Sequence, residues 1–434
     1  MIGMTKLSKK FWIALTVFSL VGQVAWVIEN MYFNVFIYKM FAASPADIAA
    51  MVTASAISAT VTTLLIGALS DKLGKRKIFI SGGYILWGLS IVAFALLRVD
   101  LISSVIPAAA SISAVGITLV IFLDCVMTFF GSSANDACFN AWFTDSTDSG
   151  NRGSAEGINA MMPLLAILVV FGSTLGMDNS DPRAWSVFFG VMGVVVLLIG
   201  ILGFFLLKEP SITPSKEEKY FANIIYGFRP SVIVENKTLY VSLAAFAVFG
   251  ISIQIFMPYL ILYYTETLKL DNYVFIMAPA VILAAAATVF YGRVYDRIGF
   301  AKTVLPALGA LCGGYLLFCF FTNTAIVFVA SLLMMCGYLC GMAVFGALIR
   351  DYTPENMAGR FQGLRIFGQV LIPGIVGPFI GQKVLEGAEK VVGGDGIESF
   401  IPNTNIFVAA FFAVIVVLPF LPPIARLIKK EKTR

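Results

Sequence analysis

The 434-residue sequence has no histidine, and only 13% of its residues are charged. Without imidazole, a histidine-based zinc site, a His-dependent protease triad and a histidine proton relay are all excluded. A soluble chain of this length carries about a quarter charged residues, so the shortage argues against one. Cysteine is scarce too. Cys125, Cys138, Cys312, Cys319, Cys336 and Cys340 all fall inside apolar runs, where they read as small buried side chains and not as a disulfide framework. No nucleophile–base arrangement and no metal-ligand spacing is found, so neither a membrane enzyme nor a cofactor or metal is expected. The opening "MIGMTKLSKKFW" leads into a full-length apolar span, unlike the short core of a cleavable signal peptide.

What is abundant is apolar: 59% of the residues are hydrophobic and mean hydropathy is +0.90. Crossing a bilayer as a helix takes roughly 20 mostly apolar residues, and lipid leaves the backbone only a helix or a closed barrel. Twelve runs reach that length, at about 11–41, 46–70, 78–98, 113–144, 155–176, 184–207, 238–265, 272–292, 303–322, 325–350, 360–381 and 404–427. They are too long and unbroken for barrel strands. The pattern predicts an all-α polytopic membrane protein with twelve transmembrane helices. Of the 30 basic residues, only Lys39, Arg98, Arg183, Lys269, Lys383 and Lys390 fall on the side opposite the termini. That bias places both termini in the cytoplasm and the chain in the cytoplasmic (inner or plasma) membrane. The net charge of +5 therefore reports topology and gives no reason to expect nucleic acid.

The sequence repeats itself. "GALSDKLGKRK" (Gly67 to Lys77) follows the second run, and "GRVYDRIGFAK" (Gly292 to Lys302) follows the eighth. "DSTDSGNRGSAEG" after the fourth run aligns with "DYTPENMAGRFQG" after the tenth, with Asp, Thr and two Gly in register. Two six-helix bundles, 1–207 and 238–434, joined by a polar segment 208–237, are the duplication expected of a secondary transporter. Within that segment, "KEEKYFANIIYGF" sets Tyr220, Phe221, Ile224, Ile225 and Phe228 on one face, as an amphipathic helix at the inner membrane surface or a plain spacer.

The two glycine–aspartate loops resemble the signature between helices 2 and 3 of the major facilitator superfamily and its degenerate copy between helices 8 and 9. The likeness covers the whole chain and implies the major facilitator fold, with two pseudo-symmetric bundles. It also implies a cytoplasmic gate at Gly67, Asp71, Arg76, Gly292, Asp296 and Arg297. There Gly67 lets its helix approach a neighbour closely, the aspartates face helix N-termini, and the arginines pair with carboxylates.

Within that superfamily, "NDACFNAWFTDSTDSGNR" (Asn135 to Arg152) resembles the end of helix 4 in the glycoside–pentoside–hexuronide:cation symporters, the melibiose permease-like family. "RDYTPENMAGRFQGLRIFGQ" (Arg350 to Gln369) resembles that family's entry into helix 11. The resemblance puts Asp136 in the place of the carboxylate that holds the sugar. The chain departs from the family at its two cation-binding helix-2 aspartates, which correspond here to Ala59 and Thr63. The helix-11 lysine has no counterpart either; its place is near Gly374.

The residues themselves carry the same expectation. A carboxylate inside a span costs a few kcal/mol and faces a cavity or a partner. Asp124 and Asp136 lie twelve residues apart on the fourth span, about 18 Å and about 120° on an α-helix, which separates their roles. Asp124 shares a face with Thr128, Gly131 and Asn135, and a hydroxyl one turn away can satisfy it; Asp136 shares one with Phe129, Ser132 and Asn140. On the first span, Gln23, Asn30 and Asn34 form a stripe beside Glu29, Trp26 and Phe33. Amides with an aromatic face suit a sugar, whose hydroxyls need paired donors and acceptors. The second half offers Gln254, Tyr259 and Tyr263 on the seventh span and Gln362, Arg365 and Gln369 on the eleventh. For each amide or tyrosine, packing between helices is the competing reading.

The expected protein is a cation-coupled carrier for a sugar or glycoside. Asp136, Asn140, Trp26, Asn30, Asn34, Gln254, Tyr259 and Gln369 are the substrate candidates, and Asp124, Asp136 and Glu29 the ion-coupling ones. With no lysine partner and no second acid near Asp136, a proton is favoured over sodium. Its partners are a small molecule, a coupling ion and the bilayer, and it works as a monomer by alternating access. The alternative is a proton-driven exporter of drugs or amphiphiles. Against it, Met127 stands where such exporters place an arginine; for it, "GIVGPFIG" (Gly374 to Gly381) resembles their glycine–proline pattern in the wrong half.

Overall fold

The computed structural model describes residues 7–106, 111–147, 151–210, 228–354, 364–392 and 398–432. Among them, twelve helices are long and apolar enough to cross a membrane: α1 Lys9–Phe41, α2 Pro45–Leu73, α3 Lys77–Phe94, α4 Ile112–Asp145, α5 Ala155–Thr174 and α6 Pro182–Leu206, then α7 Lys237–Thr267, α8 Val274–Ile298, α9 Phe300–Phe320, α10 Thr324–Tyr352, α11 Leu364–Leu385 and α12 Asn405–Glu431. The chain is a multi-pass membrane protein. The proposed amphipathic helix lies almost wholly outside the described residues, as do Gln362 and the side chain of Arg152.

Local chemistry sets the ends. Ser44 and Asp47 cap α2 reciprocally, with Pro45 in the first turn. At the other end Gly74 takes φ +61°, the left-handed position that favours glycine. Gly299 ends α8, also at a positive φ (+74°) but with an extended ψ of 177°. The repeated glycine–aspartate stretches are therefore helical over most of their length, where they were expected as loops. The second glycine of each is the stop, and Gly67, Asp71, Gly292 and Asp296 ride on helices. A small departure from an all-α fold is a hairpin of β1 Lys390–Val392 and β2 Glu398–Phe400, paired antiparallel.

The chain divides into two compact units, Met1–Glu218 and Lys219–Arg434. In the first, α3 packs on α6, α1 on α5 and α6, and α4 on α2 and α3. In the second, α9 packs on α12, α7 on α11 and α12, and α10 on α8 and α9. Each pairing recurs six helices later, so the repeat in sequence is a repeat of packing. Small residues bring α3 and α6 together: a Cβ added at Gly88 would stand 2.6 Å from the Gly193 carbonyl oxygen, and one at Gly200 2.5 Å from the Ile85 nitrogen. Lipid offers helices little hydrophobic drive to associate, so close backbone contact carries that interface.

Among the described spans, four carry π-turns. Wider π-turns occupy Ile28–Tyr32 in α1, Ser132–Phe139 in α4, Tyr263–Thr267 in α7 and Phe367–Leu371 in α11. Such turns are rare and concentrate at functional sites. Here they contain Glu29, Asn30, Asp136 and Gln369.

Candidate functional site

A polar layer crosses the interior of the first unit. Glu29 of α1 is 8% exposed, and its Oε1 accepts two hydrogen bonds, from Ser55 Oγ of α2 at 2.5 Å and from Thr128 Oγ1 of α4 at 2.9 Å. The two hydroxyls are themselves 2.9 Å apart. Among the described residues, Glu29 Oε2 is buried with no hydrogen-bond partner. One turn before Thr128, Asp124 is 1% exposed and its Oδ1 is likewise buried without a partner. The hydroxyl expected to satisfy Asp124 serves Glu29 instead. Glu29 and Asp124 act electrostatically on each other, and Asp136 acts on Glu29, so Glu29 links the two acids of α4. This corrects the expectation that Asp136 has no second acid nearby. Among the described residues, no lysine or arginine pairs with any of the three.

The π-turn also revises the geometry of α4. An α-helix advances about 100° per residue, and the wider π-turn advances roughly 80°. With the second half of the interval in π-form, Asp124 and Asp136 come to within about 30° of each other in place of about 120°. Asp124, Thr128, Ser132, Asp136, Asn140 and Thr144 then form one ladder, from the buried middle of the helix to its exposed C-terminal end. Ser132 Oγ donates to Asp136 Oδ2 at 3.0 Å.

A second set of contacts flanks the ladder. Trp26 Nε1 donates to Asn135 Oδ1 at 3.4 Å, Asn135 Nδ2 donates to Tyr84 Oη at 2.7 Å, and Tyr84 donates on to the Phe18 carbonyl at 2.7 Å. The rings of Trp26 and Trp87 stand 5.0 Å apart. Asn135, which sequence reasoning set aside, is the joint between α1, α3 and α4; its position inside "SSAND" was the available signal.

The amide stripe on α1 behaves differently from expectation. The π-turn breaks the i, i+7, i+11 register, leaving Asn30 exposed and Asn34 1% exposed. Asn30 Nδ2 donates to the Trp26 carbonyl at 2.7 Å and Asn34 Nδ2 to the Asn30 carbonyl at 2.9 Å. Asn140 does the same on α4, donating to the Asp136 carbonyl at 3.1 Å. These amides serve backbone carbonyls of their own helices.

In the second unit Gln254 and Gln369 are half-buried, and no hydrogen bond joins them among the described residues. Gly377 brings the α11 backbone against Gln254. Tyr259 is fully buried, its ring edge-on to Phe400, and Tyr263 donates to the Phe318 carbonyl at 3.3 Å. Both tyrosines sit in helix packing.

Between the C-terminal end of α2 and the start of α3, Arg76 is 5% exposed. Its guanidinium meets Asp71 Oδ1 at 2.5 Å, Asp145 Oδ2 at 3.0 Å and the Ser70 hydroxyl. Burial opposes its charge, but Asp71 and Asp145 outweigh that and hold its pKa above the ordinary arginine value. The second unit does not copy this. Arg297 and Asp296 are exposed and form no ion pair among the described residues. Instead Tyr295 Oη donates to Asp351 Oδ2 at 2.8 Å, Asp351 being the counterpart of Asp145. Gly67 also departs from expectation, since an added Cβ would meet only that of Ala137, at 3.9 Å, and Gly292 has nothing within 4 Å.

A family model described as Major Facilitator Superfamily matches residues 11–378. No curated protein matches the chain. Among solved structures, the chain is similar to a mutant of the nucleoside transporter NupG, with a TM-score of 0.71 at 11% identity over 95% of this chain and 99% of that one. It is similar to a D-xylose–proton symporter, with a TM-score of 0.70 at 13% identity over 94% and 97%. A bacterial homologue of the human lysosomal transporter Spinster gives a TM-score of 0.70 at 15% identity over 97% and 98%. At these identities the likeness is one of fold.

Proposed function

The chain belongs to the Major Facilitator Superfamily and is a transporter, and from that premise we propose that it takes up a sugar or glycoside in company with a cation, a proton before sodium, by alternating access. One observation carries the reading: Glu29, Asp124 and Asp136 are gathered in one layer of the first unit, and among the described residues no cationic side chain pairs with them. A carboxyl in a membrane interior needs a proton or a cation to neutralise it, and one without a fixed cationic partner is suited to taking that charge up and releasing it. The structural neighbours support this by analogy, two of them being named for carrying a nucleoside and D-xylose. Kinship with the melibiose permease-like symporters is a finer part of the same proposal.

In this reading Asp136 and Trp26 meet the substrate, with Gln254 and Gln369 as the candidates from the second unit. Asn140, Asn30 and Asn34 shape the π-turns that present these groups. Glu29 and Asp124 handle the ion. Asp71, Arg76, Gly292, Asp296 and Arg297 are assigned to the cytoplasmic gate. The setting is the inner or plasma membrane, with both termini cytoplasmic and a monomer as the working unit.

The test is thermal stabilisation of the purified protein by mono- and disaccharides and by lipophilic cations, at acidic and alkaline pH, with and without sodium. A sugar that stabilises wild type but not Asp136→Asn is the expected result. Stabilisation by lipophilic cations alone would replace this reading with the exporter, which the glycine–proline stretch of α11 favours.

A further inference from the structure

We propose that the ladder on α4 and Glu29 of α1 form one proton path, with Glu29 as its switching group and Ser55 and Thr128 as the hydroxyls that position it. The proposal rests on the reading of the chain as a cation-coupled carrier and names how the ion moves within that site.

Three observations converge. The first is connectivity. Glu29 is tied to α2 through Ser55 and to α4 through Thr128, so its carboxylate lies against the ladder between Asp124 and Asp136. The second is the pair of orphaned oxygens. Glu29 Oε2 and Asp124 Oδ1 are both buried and neither has a donor. A buried carboxylate oxygen left unpaired is costly, and a structure retains one where the group has work to do. The third is the π-turn over Ser132–Phe139, which swings Asp136 back onto the face that carries Asp124.

The described groups that act on Glu29 are few: Ser55 of α2 and Thr128 of α4 by hydrogen bonds, and Asp124 and Asp136 of α4 by their charge; α5 and α6, which also pack on α1, contribute none of these. With no lysine or arginine in the set, the charge that balances these acids must be mobile. Hydroxyls can pass a proton without any change of oxidation state. A proton arriving at Thr128 Oγ1 binds there while the hydroxyl's own proton moves to Glu29 Oε1, and the hydroxyl is restored. Ser132 makes the same exchange with Asp136. Asp136 and Asn140, at the less buried end, open the path to the cytoplasmic side, and Asp124 closes it within the membrane.

Infrared difference spectroscopy of the full-length protein in lipid, between acidic and alkaline pH, tests this without any substrate. A protonated carboxyl has a carbonyl band distinct from that of a carboxylate. Wild type is expected to show a titrating carboxyl band that disappears in Glu29→Gln. Thr128→Val and Ser55→Ala should retain it at a shifted frequency, since each removes a hydrogen bond to Oε1, and Glu29→Asp should restore a band. Matched thermal midpoints would show that each variant folds. A band indifferent to Glu29→Gln, or insensitive to both hydroxyl substitutions, overturns the path. So does a spectral change produced by sodium at constant pH, which would make the site one for an alkali cation. Sugar stabilisation measured on the same samples separates failure of the path from failure of the carrier reading.

Discussion

Arg76→Ala is the most quantitative test of how the first unit holds the C-terminal ends of α2 and α4 together. Arg76 joins the C-terminal end of α2, through Asp71 and Ser70, to the last residue of α4, Asp145. Its own backbone N–H donates to Glu209, beyond α6, at 2.5 Å, and that carboxylate also receives the Lys77 N–H at 3.3 Å. Breaking a fully buried ion pair by removing one partner costs about 3–5 kcal/mol. The guanidinium is 5% exposed, but Asp71 is 55% and Asp145 29% exposed, so water re-solvates much of what is uncovered. The expected loss is therefore about 2–3 kcal/mol, shared between the Asp71 and Asp145 contacts. At roughly 2–4 °C per kcal/mol for a unit of this size, the thermal midpoint should fall by about 5–10 °C. A double-mutant cycle with Asp145→Asn in detergent isolates the pair and should give a coupling of about 1–2 kcal/mol. Arg76→Lys should recover less than half, because one ammonium cannot reach three partners as a planar fork does. The pair should also resist added salt, unlike Lys383–Glu386, whose members are 51% and 54% exposed. A loss under about 0.5 kcal/mol, or full recovery with lysine, would refute the argument that burial makes this contact strong.

Close packing yields a paired prediction. Gly88→Ala drives a methyl into the Gly193 carbonyl and should cost about 1–3 kcal/mol, while Gly82→Ala, with nothing within 4 Å, should be neutral or gain about 0.5–1 kcal/mol in helix propensity; equal thermal midpoints would count against the α3–α6 contact. Ala42 ends α1 at φ +51°, so Ala42→Gly should stabilise by about 0.5–1 kcal/mol, and a destabilised variant would mean that the methyl is needed for packing. Just past the C-terminal end of α3, the hydrogen bond from Arg98 and then its charge hold the Asp100 pKa below its ordinary value. A depressed carboxylate contributes stability above the unfolded pKa of about 3.9 and loses it as pH falls through the lower folded value. Wild type and Arg98→Ala should therefore differ at neutral pH and converge in acid; a difference that persists at the lowest pH would rule out that contact as its source.

The sequence made the coarse architecture legible because a membrane imposes one rule on every span. Helix ends such as Leu73 and Ile298 lie beyond the predicted edges because a glycine with positive φ, and no charged residue, stops each helix. The repeated motifs announced the duplication, yet their chemistry diverged: Arg76 holds Asp145, whereas a tyrosine holds Asp351. A constant motif thus reported ancestry and topology more faithfully than it reported contacts.

The candidate site was legible by residue type and misjudged in register, with one physical cause. Every face assignment for α1 and α4 assumed about 100° per residue, and the π-turns at Ile28–Tyr32 and Ser132–Phe139 break that assumption where the polar residues sit. The coincidence follows from the chemistry of the turn. A wider turn leaves carbonyls without their usual fourth-residue donor, and Asn30, Asn34 and Asn140 supply side-chain donors to carbonyls four residues back. Asparagines that looked like substrate ligands are thus what makes the irregular backbone affordable within the membrane. The irregular backbone in turn brings Asp136 onto the face of Asp124 and sets Glu29 against Thr128. In a span, amides four residues apart beside a carboxylate therefore argue for a π-turn first, and the faces should be drawn only after that turn is counted.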